Sequence, residues 1–354
     1  MNILVIGNFH EEGFALHIAE TLQHMGHAAR RFQPGARTGP GSRIMLRVGQ
    51  AKDALHAASD AIPWIRAARM RRLWRVAEEG PLDVAIVCHD FLLPGEVAEL
   101  KRRTGAAVAL WFPDSMAGFG RSCFMTAPYD ALFMKDPFQV TRLAGIVAAP
   151  TWYLPECFDP HRHRLDRPLE EGDRVRYRCD ICTAGNFHSY RAAFFSRLLD
   201  YDVKIWGNPP PVWMPETPVT RRFGGHYVTY AEKAKAFLSA KIVVNNLLPS
   251  EVCGVNARAF EAAGIGAFQM LDWRPGLGQL FADGSEVISF RGISDLVRKI
   301  DYWLERDDER QAIAQAGKSR AHSEHTYRLR LELLLATLAG RERGFPMPSI
   351  DVSL

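Results

Sequence analysis

Between residues 242 and 271 the chain alternates apolar runs with chain-breaking residues in an order that few folds accommodate. An apolar run, Ile242-Val243-Val244-Asn245-Asn246-Leu247-Leu248, stops at Pro249-Ser250. A short helical pattern begins near Asn256, and Gly264 and Gly266 let the helix end and the chain turn straight back into a second apolar run at 267–271. Strand, helix and strand in this order predict parallel pairing with the helix packed on the sheet. Asn256 is placed to cap the helix. Arg258 sits in the first turn, where free backbone N–H groups and the positive dipole end favour an anion. A guanidinium there strengthens a site suited to a phosphate or diphosphate. Glu261, three residues on, emerges on a neighbouring part of the same face, where its carboxylate can accept hydrogen bonds from two adjacent hydroxyls, as on a ribose. An ordinary amphipathic helix with a surface Arg–Glu pair accounts for the same residues; the order of the surrounding elements favours the ligand-binding reading.

The same alternation starts at the N-terminus. Residues 2–7 read as a strand, 11–25 as a helix and 27–32 as a second strand, a βαβ opening of doubly wound type. The first turn, Gly7-Asn8-Phe9-His10-Glu11-Glu12-Gly13, lacks G-x-G-x-x-G and so carries no dinucleotide fingerprint. Further strands are predicted at 83–88, 106–112 and 131–134, ending in His89-Asp90, Pro113-Asp114-Ser115 and Lys135-Asp136. Parallel sheets place ligand groups beyond the carboxyl ends of their strands. Asp136 before Pro137 reads as a helix cap, whereas His89 and Asp114 read as site residues. The Gly- and Pro-rich stretch 34–42 is a loop, and 51–79 is mostly helical with a break at Pro63. Residues 64–75 mix arginines with Trp64 and Trp74. A helix whose apolar side faces the domain core is favoured there over an interfacial helix lying on anionic lipid.

At 354 residues the chain suits two domains. The net charge of +4, carried mostly by arginine, does not call for nucleic acid but suits anionic ligands or an anionic surface. Cys88, Cys123, Cys157, Cys179, Cys182 and Cys253 are scattered, which predicts reduced core thiols in a cytosol. Cys179 and Cys182 have C-x-x-C spacing inside a predicted strand, where side chains three apart face opposite ways, so neither a zinc knuckle nor a redox loop is expected. His161 and His163 lie in a charged stretch, 161–171, expected to be exposed and without further ligands spaced for a metal. The chain begins on a strand, so no secretory leader is expected, and no apolar run approaches the ~20 residues that span a bilayer.

The run Asn256-x-Arg258-x-Phe260-Glu261, followed by Gly266-Ala267-Phe268, resembles the nucleotide-sugar site of GT-B glycosyltransferases. It is most similar to the CgeB-type (spore-maturation-protein-like) branch related to glycosyltransferase family 4. The resemblance covers roughly residues 177–335; Leu154-Pro155 with Asp159-Pro160 also resembles the family's entry into its second domain, and His325-Thr326-Tyr327 the start of its final helix. It implies an α/β fold of two Rossmann-like domains facing a cleft. Residues 1–155 would form the acceptor side and 156–354 the nucleotide-sugar side, with the final helix able to pack back on the first domain. In the donor half it implies Asn186, Arg191, Asn256 and Arg258 around the phosphates and Glu261 on the ribose. Gly7, Asn8 and His10 would serve the acceptor, with His89 or Asp114 near the reacting centre. The implied activity is transfer of a hexosyl-type sugar from a nucleoside-diphosphate sugar to a glycan, lipid-linked or protein acceptor. It would proceed without a cofactor, metal or nucleic-acid partner, in the cytoplasm or peripherally on the inner membrane face. Many retaining family-4 enzymes carry Glu-x7-Glu, whose first carboxylate would fall at Cys253; Glu251 comes two residues early, so retention of configuration does not follow. A nucleotide-sugar 2-epimerase of the same fold and a non-catalytic nucleotide-sugar-binding protein are the alternatives.

Overall fold

The computed structural model describes residues 1–34, 62–116 and 122–349. The predicted loop beyond residue 34 and the predicted helix up to residue 61 lie outside the described residues. Two Rossmann-like α/β units follow from the apolar runs. One holds the described residues up to Pro155 together with the chain from Tyr327 onward, and the other holds Glu156–Thr326.

In the first unit, β1 (Asn2–Ile6), β2 (Ala28–Phe32), β3 (Val84–Cys88), β4 (Ala107–Phe112), β5 (Ala131–Met134) and β6 (Thr151–Tyr153) form one sheet in the order β2-β1-β3-β4-β5-β6. All neighbours are parallel. The run Val-Ala-Ile-Val-Cys of β3 is buried throughout because helices cover both faces of such a sheet. Helix Pro63–Ala77 packs Met70, Leu73 and Ala77 inward and leaves Trp64, Arg71, Arg72 and Arg75 exposed. Asp136 caps helix Pro137–Leu143 by accepting from Phe138 N–H at 2.9 Å, with proline at the first helical position. Helix Tyr327–Leu338 belongs to this unit. Its Tyr327 ring stacks on His17 at 5.1 Å and tilts against Phe14 at 6.0 Å.

In the second unit, β7 (Cys179–Ala184), β8 (Val203–Trp206), β9 (Ala240–Asn245), β10 (Gln269–Asp272) and β11 (Ile288–Phe290) form a parallel sheet in the order β11-β10-β9-β7-β8. The chain runs outward from β7 to β8, then returns to lay β9 on the other side of β7. The strand order reverses there, and the two flanking crossovers diverge to leave a crevice beyond the carboxyl ends of β7 and β9. In the first unit the corresponding reversal falls between β1 and β3.

Several expectations are corrected. Gly264 does not end the helix; it lies inside Ala257–Ile265, where a Cβ would run into the Phe158 ring. The turn belongs to Gly266, left-handed at φ 91, whose N–H caps Ala263 O at 2.8 Å. Cys179 and Cys182 do not face opposite ways. The N–H groups of Asp180 and Ile181 both bond Asp202 O at 3.0 Å, a bulge that brings both thiols into one apolar cluster with Trp206 and Phe237. His163 is buried rather than exposed, and a helix occupies Glu171–Tyr177 where the sequence predicts none.

Candidate functional site

The crevice end of the second sheet is built around two arginines. Arg191 rises from helix Ser189–Phe195, which follows β7, and Arg258 from the first turn of helix Ala257–Ile265, which follows β9. Both guanidinia close on Gly185, the residue after β7. A Cβ there would run into Arg258 Nη2 and lie 2.8 Å from Arg191 Nη1, so only glycine, at φ +134, lets the two cations share the strand end. Arg191 Nη1 donates to Asn186 O at 2.7 Å and its Nε to Asn246 Oδ1 at 3.4 Å. Arg258 Nη1 donates to Asn245 Oδ1 at 2.9 Å. Among the described residues neither makes a salt bridge. Burial pushes Arg191 well below the usual guanidinium range, and the charge of Arg258 pushes it further. Burial also lowers Arg258, while Glu261 and Glu251 at longer range oppose the shift. Arginine does not deprotonate in proteins, so a buried like-charged pair of this kind is a standing demand for an anion.

His188 stands beside them. Its Nδ1 accepts Arg191 N–H at 3.2 Å as the helix cap, which leaves the proton of the neutral ring on Nε2. Burial, then Arg191 and Arg258, lower its pKa to about 4. Asn186, expected near the phosphates, is exposed, and its Oδ1 accepts from Asn208 Nδ2 at 2.6 Å.

Asn256 holds the N-cap position, but its side chain does not cap the helix. It exchanges hydrogen bonds with Asn245 instead, at 2.9 and 3.2 Å. Glu261 is brought into the same region of helix Ala257–Ile265, with its Oε2 2.9 Å from the buried Lys233 ammonium and its Oε1 3.6 Å from His163 Nε2. The carboxylate is therefore held in a fixed orientation by the fold. Cys253 is buried, and the Oε2 of Glu251, two residues earlier, accepts Leu248 N–H at 2.9 Å. Lys233 and His163 carried no sequence signal, because both are remote from residue 261 and meet it only through folding. Asn245-Asn246 was legible in principle, as two amides closing an apolar strand at its carboxyl edge.

In the first unit, His89 follows β3 and Asp114 follows β4. The structure joins them: His89 Nε2 lies 3.0 Å from Asp114 Oδ2. His89 Nδ1 is buried among Phe14, Phe91 and Phe112, whereas the Asp114 side chain is 55% exposed. His89 adopts φ +68, a conformation costly for a residue with a Cβ and concentrated at ligand sites. Gly7 follows β1, where a Cβ would lie 2.5 Å from Ala15 Cβ, so the glycine permits close packing of the first helix. Asn8 is buried, and His10 Nδ1 lies 2.7 Å from Glu11 O.

Residues 191–336, which contain Arg191, Arg258 and Glu261, match the family model described as "Glycosyl transferase-like", so this segment carries a glycosyltransferase-like domain. No curated protein sequence matches the chain. Among solved structures it is similar to HepE of Anabaena in complex with UDP, at 13% identity and a TM-score of 0.62 over 96% of this chain and 100% of that one. It is likewise similar to sucrose-phosphate synthase of Thermosynechococcus elongatus, at 11% identity and a TM-score of 0.64, covering 96% and 100% of the two chains. A third is AviGT4, a glycosyltransferase involved in avilamycin A biosynthesis, at 14% identity and a TM-score of 0.58, covering 96% and 99%. Across such low identities the likeness is one of fold, that of GT-B glycosyltransferases.

Proposed function

We propose that the protein transfers a sugar from a nucleoside-diphosphate sugar to an acceptor, as a glycosyltransferase of the CgeB-type branch. The observation that carries this reading is the convergence of Arg191 and Arg258, both without salt bridges among the described residues, on Gly185 at the strand-order reversal of the second sheet. Two fixed guanidinia match the two phosphates of a diphosphate and stabilise the charge that develops as the sugar leaves, in the way a divalent ion does elsewhere. Glu261, held by Lys233, keeps acceptor capacity for the ribose hydroxyls. HepE, one of the similar folds, is known in complex with UDP, which fits a uridine nucleotide as the first donor to try.

In the first unit the exposed Asp114 takes the proton of an acceptor hydroxyl, with His89 Nε2 holding it in place. Helix Pro63–Ala77 offers an acceptor-side surface: Trp64 is 72% exposed and shares the outer face with Arg71 and Arg75. An aromatic and a row of arginines without acidic neighbours in the helix suit an anionic lipid surface and support a peripheral contact with an anionic membrane as part of this reading.

The test is thermal stability against a panel of UDP-, GDP- and dTDP-sugars, followed by product analysis. A ligand at 100 times its Kd stabilises the folded state by about 2.7 kcal/mol. Stabilisation by one nucleotide sugar, then transfer or slow hydrolysis, supports the reading. Conversion of the donor without acceptor identifies a 2-epimerase, binding without turnover a non-catalytic protein, and no stabilisation by any of them removes the donor site.

A further inference from the structure

Strand β9 ends at Asn245, Asn246 follows it directly, and each of these two asparagines holds a different arginine. Successive side chains of a strand point to opposite faces. Asn245 accordingly reaches Arg258 on helix Ala257–Ile265, and Asn246 reaches Arg191 on helix Ser189–Phe195. Both amides are almost wholly buried, at 0% and 3% exposure. Among the described residues every hydrogen-bond acceptor of the two guanidinia is neutral: Asn245 Oδ1, Asn246 Oδ1 and the carbonyl of Asn186. The nearby carboxylates are engaged elsewhere, Glu251 by Leu248 N–H and Glu261 by Lys233.

That pattern runs against stability. A carboxylate at either position would hold its guanidinium with a charge-assisted bond and relieve a buried, unpaired cation. An aspartate has the same shape as asparagine. At position 246 it would cost no hydrogen bond either, because among the described residues the buried Asn246 Nδ2 has no partner. What an aspartate at 246 takes away is one unit of the positive charge that Arg191 and Arg258 bring to the crevice.

We propose that Asn245 and Asn246 are positioning residues whose neutrality matters: they aim the two guanidinia at a polyphosphate anion without cancelling their charge. The inference deepens the donor-site reading above and concerns the anion subsite alone.

Asn246→Asp and Asn246→Ser separate this from a structural role. Inorganic pyrophosphate and UDP are the probes, with affinity measured by calorimetry and the melting temperature of each free variant by scanning. The expected result has opposite signs. Asn246→Asp melts no lower than wild type yet binds both probes at least tenfold more weakly, a loss of ~1.4 kcal/mol or more. Asn246→Ser, neutral and shorter, stays within a few-fold of wild type in affinity. Wild-type affinity in the aspartate variant overturns the proposal while leaving the donor-site reading intact. So does a lower melting temperature in both variants with matching losses of affinity, which gives Asn246 a structural role. Wild-type binding of pyrophosphate without UDP keeps the proposal and overturns the nucleotide reading; binding of neither probe by wild type overturns both.

Discussion

Lys233 and Glu261 form a largely buried ion pair, with Nζ 2.9 Å from Oε2 and 7% and 15% of the two side chains exposed. The pair changes what a substitution at Glu261 measures. The carboxylate is at once the proposed ribose ligand and the anionic partner of a buried ammonium, so affinity and stability move together. Removing one member of a buried pair typically costs about 3–5 kcal/mol. Glu261→Gln is expected to lower the melting temperature and to weaken nucleotide binding about tenfold or more, through loss of a charge-assisted bond of ~1.5–3 kcal/mol. Adding Lys233→Met should recover much of the stability and none of the affinity. Calorimetry with UDP alongside thermal unfolding reads both, and full recovery of affinity in the double variant would remove Glu261 from the ribose.

The His89–Asp114 pair orders its two members. Nδ1 of His89 is buried and Asp114 is the exposed partner, so the carboxylate is the group that can reach a ligand. Asp114→Asn should reduce turnover by ~10²-fold or more, within the usual range for a general base. His89→Ala should reduce it less, and both should leave UDP affinity near wild type. A larger loss in His89→Ala than in Asp114→Asn would reverse the assignment.

Metal independence is checked by removing metal. With arginines on the diphosphate, EDTA should leave activity essentially unchanged. Loss of activity with EDTA and its return with manganese would mean that a divalent ion carries the phosphate charge.

His188 supplies a pH signature. Its folded-state pKa of about 4 lies below the ordinary 6.5, so between those values the unfolded chain binds more protons than the folded one. Stability from this group is therefore complete above about pH 6.5 and declines as pH falls toward 4. Asn at 188 keeps a helix cap and removes the titration. The difference in melting temperature between wild type and His188→Asn should shift toward the variant as pH is lowered through that window. A difference independent of pH would show that the imidazole is not held neutral.

The exposed face of helix Pro63–Ala77 predicts a salt-sensitive membrane interaction. Wild type should co-sediment with vesicles containing phosphatidylserine and release at high salt, and Trp64→Ala with Arg71→Glu and Arg75→Glu should not bind. Equal binding to neutral and anionic vesicles would leave the helix as ordinary covering for the first sheet.

Much of the molecule was legible as sequence. Runs such as Val84–Cys88 and 242–244 are apolar throughout because parallel strands are buried on both faces, so element type and α/β class follow from local composition alone. Asp136 before Pro137 was readable as a cap for the same reason: cap chemistry acts within two residues. Arg258 and Glu261 were found because their spacing on one helix is fixed by the helix itself. What neighbours them was not. Lys233, His163, Asn245 and Gly185 reach that helix from another helix, a strand and loops, and no local rule fixes distances between segments far apart in the chain. The same limit explains the misplaced roles. Asn256 has the residue type of a cap, yet its amide turns to Asn245 because that buried amide offers it both a donor and an acceptor. The C-x-x-C spacing obeys the two-residue period of a strand only until a bulge at Asp180 shifts it. Sequence determined which segments become strands and helices and which residues carry charge. The tertiary structure alone decided that two arginines from different crossovers meet at one glycine, because strand order, which no local pattern encodes, brings the ends of β7 and β9 side by side.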